Sequence, residues 1–405
     1  MERPTIGACG LYLHVPFCTT KCGYCDFYSV PCAGRATGEL VERLLAELAG
    51  RLAETPLTVA TIFLGGGTPT VLPAEELARL LEPLARVARS GACREFTVEA
   101  NPATLDDEKA GLLASAGVDR LSLGAQSFHA SELAVLERIH APEDIAPAVR
   151  TARRAGIGRI NLDLIFGIPG QTLASWTASL DRAMELEPGH LALYDLTYEP
   201  GTGLTRRRDL GQITPCDEEL EADMYLAAID RVAAAGYEQY EISNFAQPHQ
   251  RCRHNLIYWN HEPYIGVGPS AAGYVEGVRY RNVPDVERYM DMIDAQGTAV
   301  VETERLEGLR LAGEMAMLQL RLAEGIDAAH FRRCTGLDAH QVFAAAIARY
   351  ESLGLLTGTD THIALTRRGR LLADTIITDF MAELDEALEQ CAERHRSEPG
   401  AQATG

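Results

Sequence analysis

Short apolar runs alternate with helix-period stretches along the first half of the chain. Segments 11–15, 61–64, 95–99, 120–123, 159–166 and 191–196 read as short buried strands. Between them, 39–53, 74–90, 106–116, 145–155 and 173–187 place apolar residues at the spacing of an amphipathic helix. Six strands in βαβ order predict an α/β fold with a parallel sheet and outer helices, because each parallel return needs a crossover. An open doubly wound sheet and a partial barrel both satisfy this pattern. In either, the carboxyl ends of the strands form the ligand face.

The second half changes character. A helix pattern at 218–235 precedes a run at 240–245 and a stretch rich in Gly and aromatic residues at 258–280. Residues 306–380 read as three helices, a two-strand wing at 355–365 and a last helix from Arg367, a small α+β winged-helix-like unit. The expected organisation is a barrel over 1–240, a connecting region over 241–300, the winged-helix-like domain over 301–380 and a tail over 381–405. The end of that tail, 394–405, has no apolar pattern and is expected to be disordered.

Composition narrows the partners. The chain has 405 residues, is 46% apolar and carries 37 basic against 57 acidic residues, a net charge of −20. Phosphate backbones call for clustered Lys and Arg, so nucleic acid is not the expected partner. The winged-helix-like region points the same way, with nine Arg balanced by nine Asp or Glu between Arg305 and Phe380. The same charge opposes tight docking on anionic lipid, leaving at most peripheral membrane association. No charged-then-apolar signal occupies residues 1–10, and no apolar run approaches the roughly 18 residues of a membrane span. A cytoplasmic protein with reduced thiols is therefore expected. Seven of its cysteines (Cys9, Cys32, Cys93, Cys216, Cys252, Cys334, Cys391) are scattered singly and read as packing residues.

The other three are Cys18, Cys22 and Cys25, directly after the first strand. Three thiolates this close can each hold one iron of a [4Fe–4S] cubane and leave the fourth iron open for a small chelating ligand. A zinc site would want a fourth Cys or His nearby, and none stands at a usual spacing. A thioredoxin-like reading of Cys22 and Cys25 leaves Cys18 unexplained. A c-type haem attachment needs His after Cys25, where Asp26 stands. Three glycines ending a strand, Gly65-Gly66-Gly67 before Thr68-Pro69, allow close approach of backbone to a ligand.

The run Tyr12-Leu-His-Val-Pro16-Phe-Cys18, with Cys22 and Tyr24-Cys25, resembles the opening of the radical S-adenosylmethionine (SAM) superfamily. Gly65-Gly-Gly-Thr68-Pro69, Glu99-Ala-Asn-Pro102, Gly124-Ala-Gln126-Ser-Phe128 and Asn161-Leu-Asp163 follow in the order found in its branch of oxygen-independent coproporphyrinogen III oxidases and their relatives. The resemblance implies a partial (β/α)6 barrel and a [4Fe–4S] cluster binding SAM. It further implies that Tyr12, Gly66 and Glu99 contact the cluster-bound SAM. Tyr24, Gly67, Thr68, Gln126, Arg138 and Asp163 would contact a second SAM, as in some members of the branch. An internal ion pair is the plainer reading of Asp163 and Arg138.

Within the branch, two features differ from the oxidases. Phe27 stands where their pattern carries a further cysteine, and 17 residues precede Cys18, fewer than in the oxidases. His254-Asn255-Leu-Ile-Tyr258-Trp259 matches the HNxxYW pattern of the HemW-type haem chaperones. A neutral imidazole ligates haem iron well, and Tyr and Trp offer flat apolar area to a porphyrin. Read alone, a His among aromatics is more commonly a structural one; His249, His261 and Cys252 are rival ligands. The resemblance implies a protein that binds haem and delivers it to respiratory proteins, with a homodimer possible. The oxidative decarboxylation of coproporphyrinogen III is the competing activity.

Overall fold

A computed structural model describes residues 7–384, so the expected disordered end at 394–405 lies outside the described residues. The six anticipated strands form: β1 (Ala8–Val15), β2 (Thr58–Gly66), β3 (Glu95–Ala100), β4 (Arg120–Gln126), β5 (Arg159–Phe166) and β6 (His190–Asp195). Each pairs in parallel with the next. A seventh parallel strand, β7 (Tyr264–Val267), adds to the free edge of β1.

The order β7-β1-β2-β3-β4-β5-β6 never reverses. A doubly wound sheet reverses at its switch point, so this is the winding of a partial barrel. Both faces of the strands are covered: Leu11, Leu13, Ile62, Leu64, Leu121 and Leu162 are buried on one face, and Thr61, Thr97, Ser122 and Asn161 on the other. Helices Thr37–Glu54, Ala74–Ala88, Asp107–Ala116, Pro142–Ala155 and Leu173–Glu185 cross between the strands. Their ends are chemically marked. Asp106 accepts the Lys109 amide at 2.8 Å, and Thr172 shares a capping box with Ser175.

The chain divides into two compact units, and the boundary interleaves. The first comprises residues up to Gln239, Ser243–Ile257 and Glu262–Glu304; the second takes Tyr240–Ile242, Tyr258–His261 and the chain from Arg305. The second has its own core around Phe331, Phe343 and Phe380. The expected wing forms as Leu356–Gly358 and His362–Leu365, and Ile326–Asp327 joins it as a third strand. Among the described residues no helix is long and apolar enough to cross a membrane. Cys9 and Cys252 are packed inside as expected, whereas Cys334 is exposed on the second unit; Cys391 lies outside the described residues.

One buried carboxylate secures the segment after β7 to the barrel. Glu47, 1% exposed, accepts the Gly268 amide at 2.8 Å, the Asn282 side-chain amide at 2.8 Å and the Tyr289 hydroxyl at 2.7 Å. Arg51 reaches it at 3.3 Å from one turn along the same helix. Removing the carboxylate strands three buried donors, so Glu47→Ala should lower unfolding free energy by about 3–5 kcal/mol in urea titrations. A loss below about 1 kcal/mol would mean that water replaces the carboxylate without strain.

Candidate functional site

The site begins where β1 runs out. Past Pro16 the chain makes a two-residue parallel pairing, Phe17–Cys18 against Val30–Pro31, which clasps the cysteine loop at its base. Val30 N donates to Pro16 O at 2.8 Å and Cys32 N to Cys18 O at 2.9 Å. Cys18, Cys22 and Cys25 all open onto one cavity of about 460 Å³ at the carboxyl ends of the strands. Burial pushes the Cys18 thiol up, and the Cys25 thiol to about 11. Both are therefore thiols until a metal takes the proton's place. A mononuclear centre, with three donors converging on one point, does not occur among the described residues. A cubane instead puts each thiolate on its own iron.

The glycine corner after β2 is a steric necessity. A Cβ on Gly66, which has φ +98°, would lie 2.3 Å from His14 Nδ1, and one on Gly67 would lie 2.5 Å from the Phe17 carbonyl. With side chains absent, Gly67 N donates to Val15 O at 2.9 Å and Thr68 N to Phe17 O at 2.7 Å. The corner is thus stitched to the root of the cysteine loop. Gly66 N donates to Glu99 Oε2 at 3.0 Å, which ties in the end of β3.

Two carboxyls set the electrostatics. Burial, reinforced by Asp163, raises Glu99 to about 7. Burial also raises Asp163, whose direct partners are Asn161 Nδ2 at 2.7 Å and Ser122 Oγ at 3.2 Å. Arg138 donates to Gly124 O at 2.6 Å and to Cys22 Sγ at 3.5 Å, so its close partners are not Asp163. Among the described lining residues Arg138 is the one cationic side chain, against Asp26, Glu99, Asp163, Asp195 and Glu199. Burial raises Asp195 to about 6. A ligand bearing positive charge relieves this imbalance.

Two buried polar atoms in the lining have no protein partner, Gln126 Oε1 and Arg138 Nε. Buried polar groups are nearly always satisfied, so an acceptor and a donor left over here fit a polar cofactor. The donor set as a whole fits SAM on a cluster: three thiols, carboxylates for positive groups, and a bare backbone corner.

The structure brings together Tyr24, Gly66, Gly67, Thr68, Glu99, Gln126, Arg138 and Asp163 around the cavity. Tyr12 does not line it. Its ring packs 6.2 Å from that of Phe63, and its hydroxyl lies 2.8 Å from His14 Nδ1. The tautomer of His14 follows from its other side. Nε2 faces the Tyr28 carbonyl at 2.9 Å, which can only accept, and burial lowers the imidazole to about 4. Nδ1 is then the acceptor and Tyr12 the donor. His14, Ser122 and Asn161 carried no sequence signal for these roles; the Tyr28 carbonyl orients His14, and Ser122 and Asn161 meet across β4 and β5.

The HNxxYW residues lie elsewhere. Helix Arg253–Trp259 starts beneath Glu95, whose carboxylate accepts the Arg253 and His254 amides at 3.0 Å each. His254 is fully buried near the amino ends of the strands, with Nδ1 2.7 Å from Thr61 Oγ1 and its ring stacked on Phe63 at 5.2 Å. Burial lowers it to about 3, so it is neutral. Asn255 follows on the first unit, while Tyr258 and Trp259 belong to the second. Trp259 Nε1 is buried without a partner. Of the rival ligands, Cys252 donates to Glu95 Oε1 at 3.4 Å, and His261 Nε2 lies 3.4 Å from Glu314.

Comparison with known proteins bears on the family and the fold. Residues 12–183 match the model of the radical SAM superfamily, and residues 309–372 match that of the HemN C-terminal domain. A Bacillus subtilis protein named heme chaperone HemW is 36% identical over 92% of this chain and 99% of its own length. Its Escherichia coli counterpart is 34% identical over 92% and 98%. The structure of coproporphyrinogen III oxidase (HemN) from E. coli superposes with a TM-score of 0.80 over 94% of this chain and 91% of that one, at 23% identity, a likeness of fold. A [4Fe–4S] cluster and SAM are the cofactors this superfamily implies. The chain belongs to the radical SAM superfamily and, within it, to the family of proteins named heme chaperone HemW.

Proposed function

We propose that this protein carries a [4Fe–4S] cluster on Cys18, Cys22 and Cys25, binds SAM beside it, and takes up haem for transfer to haem-requiring respiratory proteins. The observation carrying the cofactor half is the single cavity onto which all three thiols, Glu99 and Asp163 open. The haem half is supported by the names of relatives covering nearly the whole chain.

When bound, a reduced cluster supplies one-electron chemistry to the sulfonium of SAM. The chain's own residues do the holding. Gly66 and Gly67 let the cofactor rest against backbone, Glu99 takes a positive group of the cluster-bound SAM, and Tyr12 supports that side through His14. Tyr24, Thr68, Gln126, Arg138 and Asp163, with Gly67, are positioned for a second SAM. Arg138 suits its carboxylate and Asp163 its ribose hydroxyls.

His254 is the proposed haem-iron ligand, with Asn255, Tyr258 and Trp259 completing the haem motif. Ligation demands that the imidazole leave Thr61 Oγ1 and the face of Phe63. Haem uptake is then coupled to an opening of the segment that bears the motif. Haem would be delivered by a homodimer with at most peripheral association with the membrane.

Two outcomes test it. His254→Ala should abolish the Soret shift on haem titration, and Thr61→Val, which frees the ring, should tighten haem binding; an unchanged spectrum in His254→Ala rejects the ligand. Anaerobic conversion of coproporphyrinogen III would instead favour the oxidase activity.

Glu99 gives a pH signature for SAM. Its carboxyl is raised to about 7 and must ionise to pair with a positive group. Binding therefore weakens as pH falls below 7, by up to roughly tenfold in Kd per pH unit. Isothermal titration of cluster-loaded protein between pH 6 and 8 should show this slope in the wild type and a flat profile in Glu99→Gln. An equal slope in both would remove Glu99 from the SAM site.

A further inference from the structure

We infer that Glu132, a buried carboxylate outside the cavity, is a positioning residue that locks Gln126 in the conformation that meets SAM. The inference rests on the reading above, in which Gln126 contacts the cofactor.

Gln126 is an unusual place for a side chain. It ends β4 with φ +62°, in the region that favours glycine, and Ser127 N donates to Ala125 O at 2.8 Å to close a three-residue turn around it. The pairing with β5 slips by one residue here, between Gly124 and Gln126. Such a bulge re-aims a side chain, and a strained non-glycine backbone persists only where its surroundings over-determine it.

The surroundings do so from two sides. Arg138 and His140 hold the carbonyls ahead of the turn: Arg138 Nη2 donates to Gly124 O at 2.6 Å and His140 Nε2 to Ala125 O at 3.0 Å. Burial, reinforced by Arg138, lowers His140 to about 4, so its ring is neutral and donates through that nitrogen. Behind the turn stands Glu132. Ser127 Oγ donates to its Oε2 at 2.5 Å while accepting the His129 amide at 3.0 Å.

Glu132 is itself anchored. Gln171 Nε2 donates to Oε2 at 3.0 Å and Ser175 Oγ to Oε1 at 2.7 Å. Gln171 also accepts the Ile168 amide at 3.3 Å, in the loop that follows β5. One carboxylate, 5% exposed, thereby fixes the loop after β4 to the loop after β5 and to the first turn of helix Leu173–Glu185. None of the residues Glu132, Ser127, Gln171 and Ser175 lines the cavity. Their effect on a cofactor passes through Gln126, whose Oε1 is left without a protein partner there.

The test is a set of SAM isotherms on anaerobically cluster-loaded protein, with iron and sulfide content and thermal unfolding measured in parallel. Ser127→Ala and Glu132→Ala should each raise the Kd for SAM by on the order of tenfold or more while cluster content stays at the wild-type level. Glu132→Gln should restore most of the affinity, since its amide oxygen can keep Ser127 and Gln171 and the Ser175 hydroxyl can turn to accept. In a Gln126→Ala background, Ser127→Ala should add nothing. If Gln126→Ala leaves SAM binding unchanged, the cofactor contact is wrong and the positioning role falls with it. If Gln126→Ala weakens binding but Ser127→Ala and Glu132→Ala do not, the contact stands and the positioning role alone is overturned. Additive losses in Gln126→Ala/Ser127→Ala would overturn it as well. Should Glu132→Ala fail to fold, Ser127→Ala carries the comparison, because it leaves the bonds from Gln171 and Ser175 in place.

Discussion

A cavity walled by three thiols and several carboxyls, with a guanidinium as the one cation among its described lining residues, is electrostatically incomplete. Everything else at the carboxyl ends of the strands depends on that imbalance. Burial has already raised Glu99, Asp163 and Asp195, so in the protein alone their ionised forms are disfavoured. Iron displaces protons from thiols, and a sulfonium with an ammonium group does the same for carboxyls. The cofactors implied by the family are thus the charges that the site lacks.

Bringing those groups to one place requires backbone to touch backbone. The first three parallel strands end at Val15, Gly66 and Ala100, and the cysteine loop must root between them. A methyl group at Gly66 or Gly67 would collide with His14 or the Phe17 carbonyl. The glycines therefore serve two ends with one geometry: they seat the loop bearing Cys18, and they leave the backbone beside Glu99 uncovered by side chains. Gln126 reaches a comparable result by the opposite route. It keeps its side chain and tolerates a left-handed backbone because Glu132, His140 and Arg138 hold the chain on either side of it.

How much of this was legible follows from the range of the interactions. The six strands and their crossover helices could be read because burial on both faces writes itself as local apolar runs. The cysteine loop and glycine corner could be read because their chemistry sits on adjacent residues. The choice between barrel and doubly wound sheet could not, since strand order is a long-range property. Nor could Glu132. In the sequence it is one acidic residue in a short helix that the apolar pattern did not mark, and its partner Gln171 comes 39 residues later. His14 and Asn161 lie inside recognisable motifs, two residues from the Tyr12 and Asp163 they orient, yet what orients them is distant in sequence: the Tyr28 carbonyl sets the His14 tautomer, and Ser122 and His190 hold the Asn161 amide from neighbouring strands.

The HNxxYW motif shows why a pattern of residue types does not fix a role by itself. A haem ligand and a core histidine share a requirement: the imidazole must be neutral. Burial supplies that for His254, and the same burial places Thr61 and Phe63 against the ring. The Glu95 carboxylate at the start of the helix, accepting two amides and a 3.0 Å bond from Arg159, stabilises this closed arrangement. Iron coordination by His254, as proposed, would have to offset a hydrogen bond, a stacked ring and a packed helix start, which would make haem binding there a conformational event and not a docking to a preformed pocket. On that proposal, the energy that holds the motif closed would set the affinity at which haem opens it.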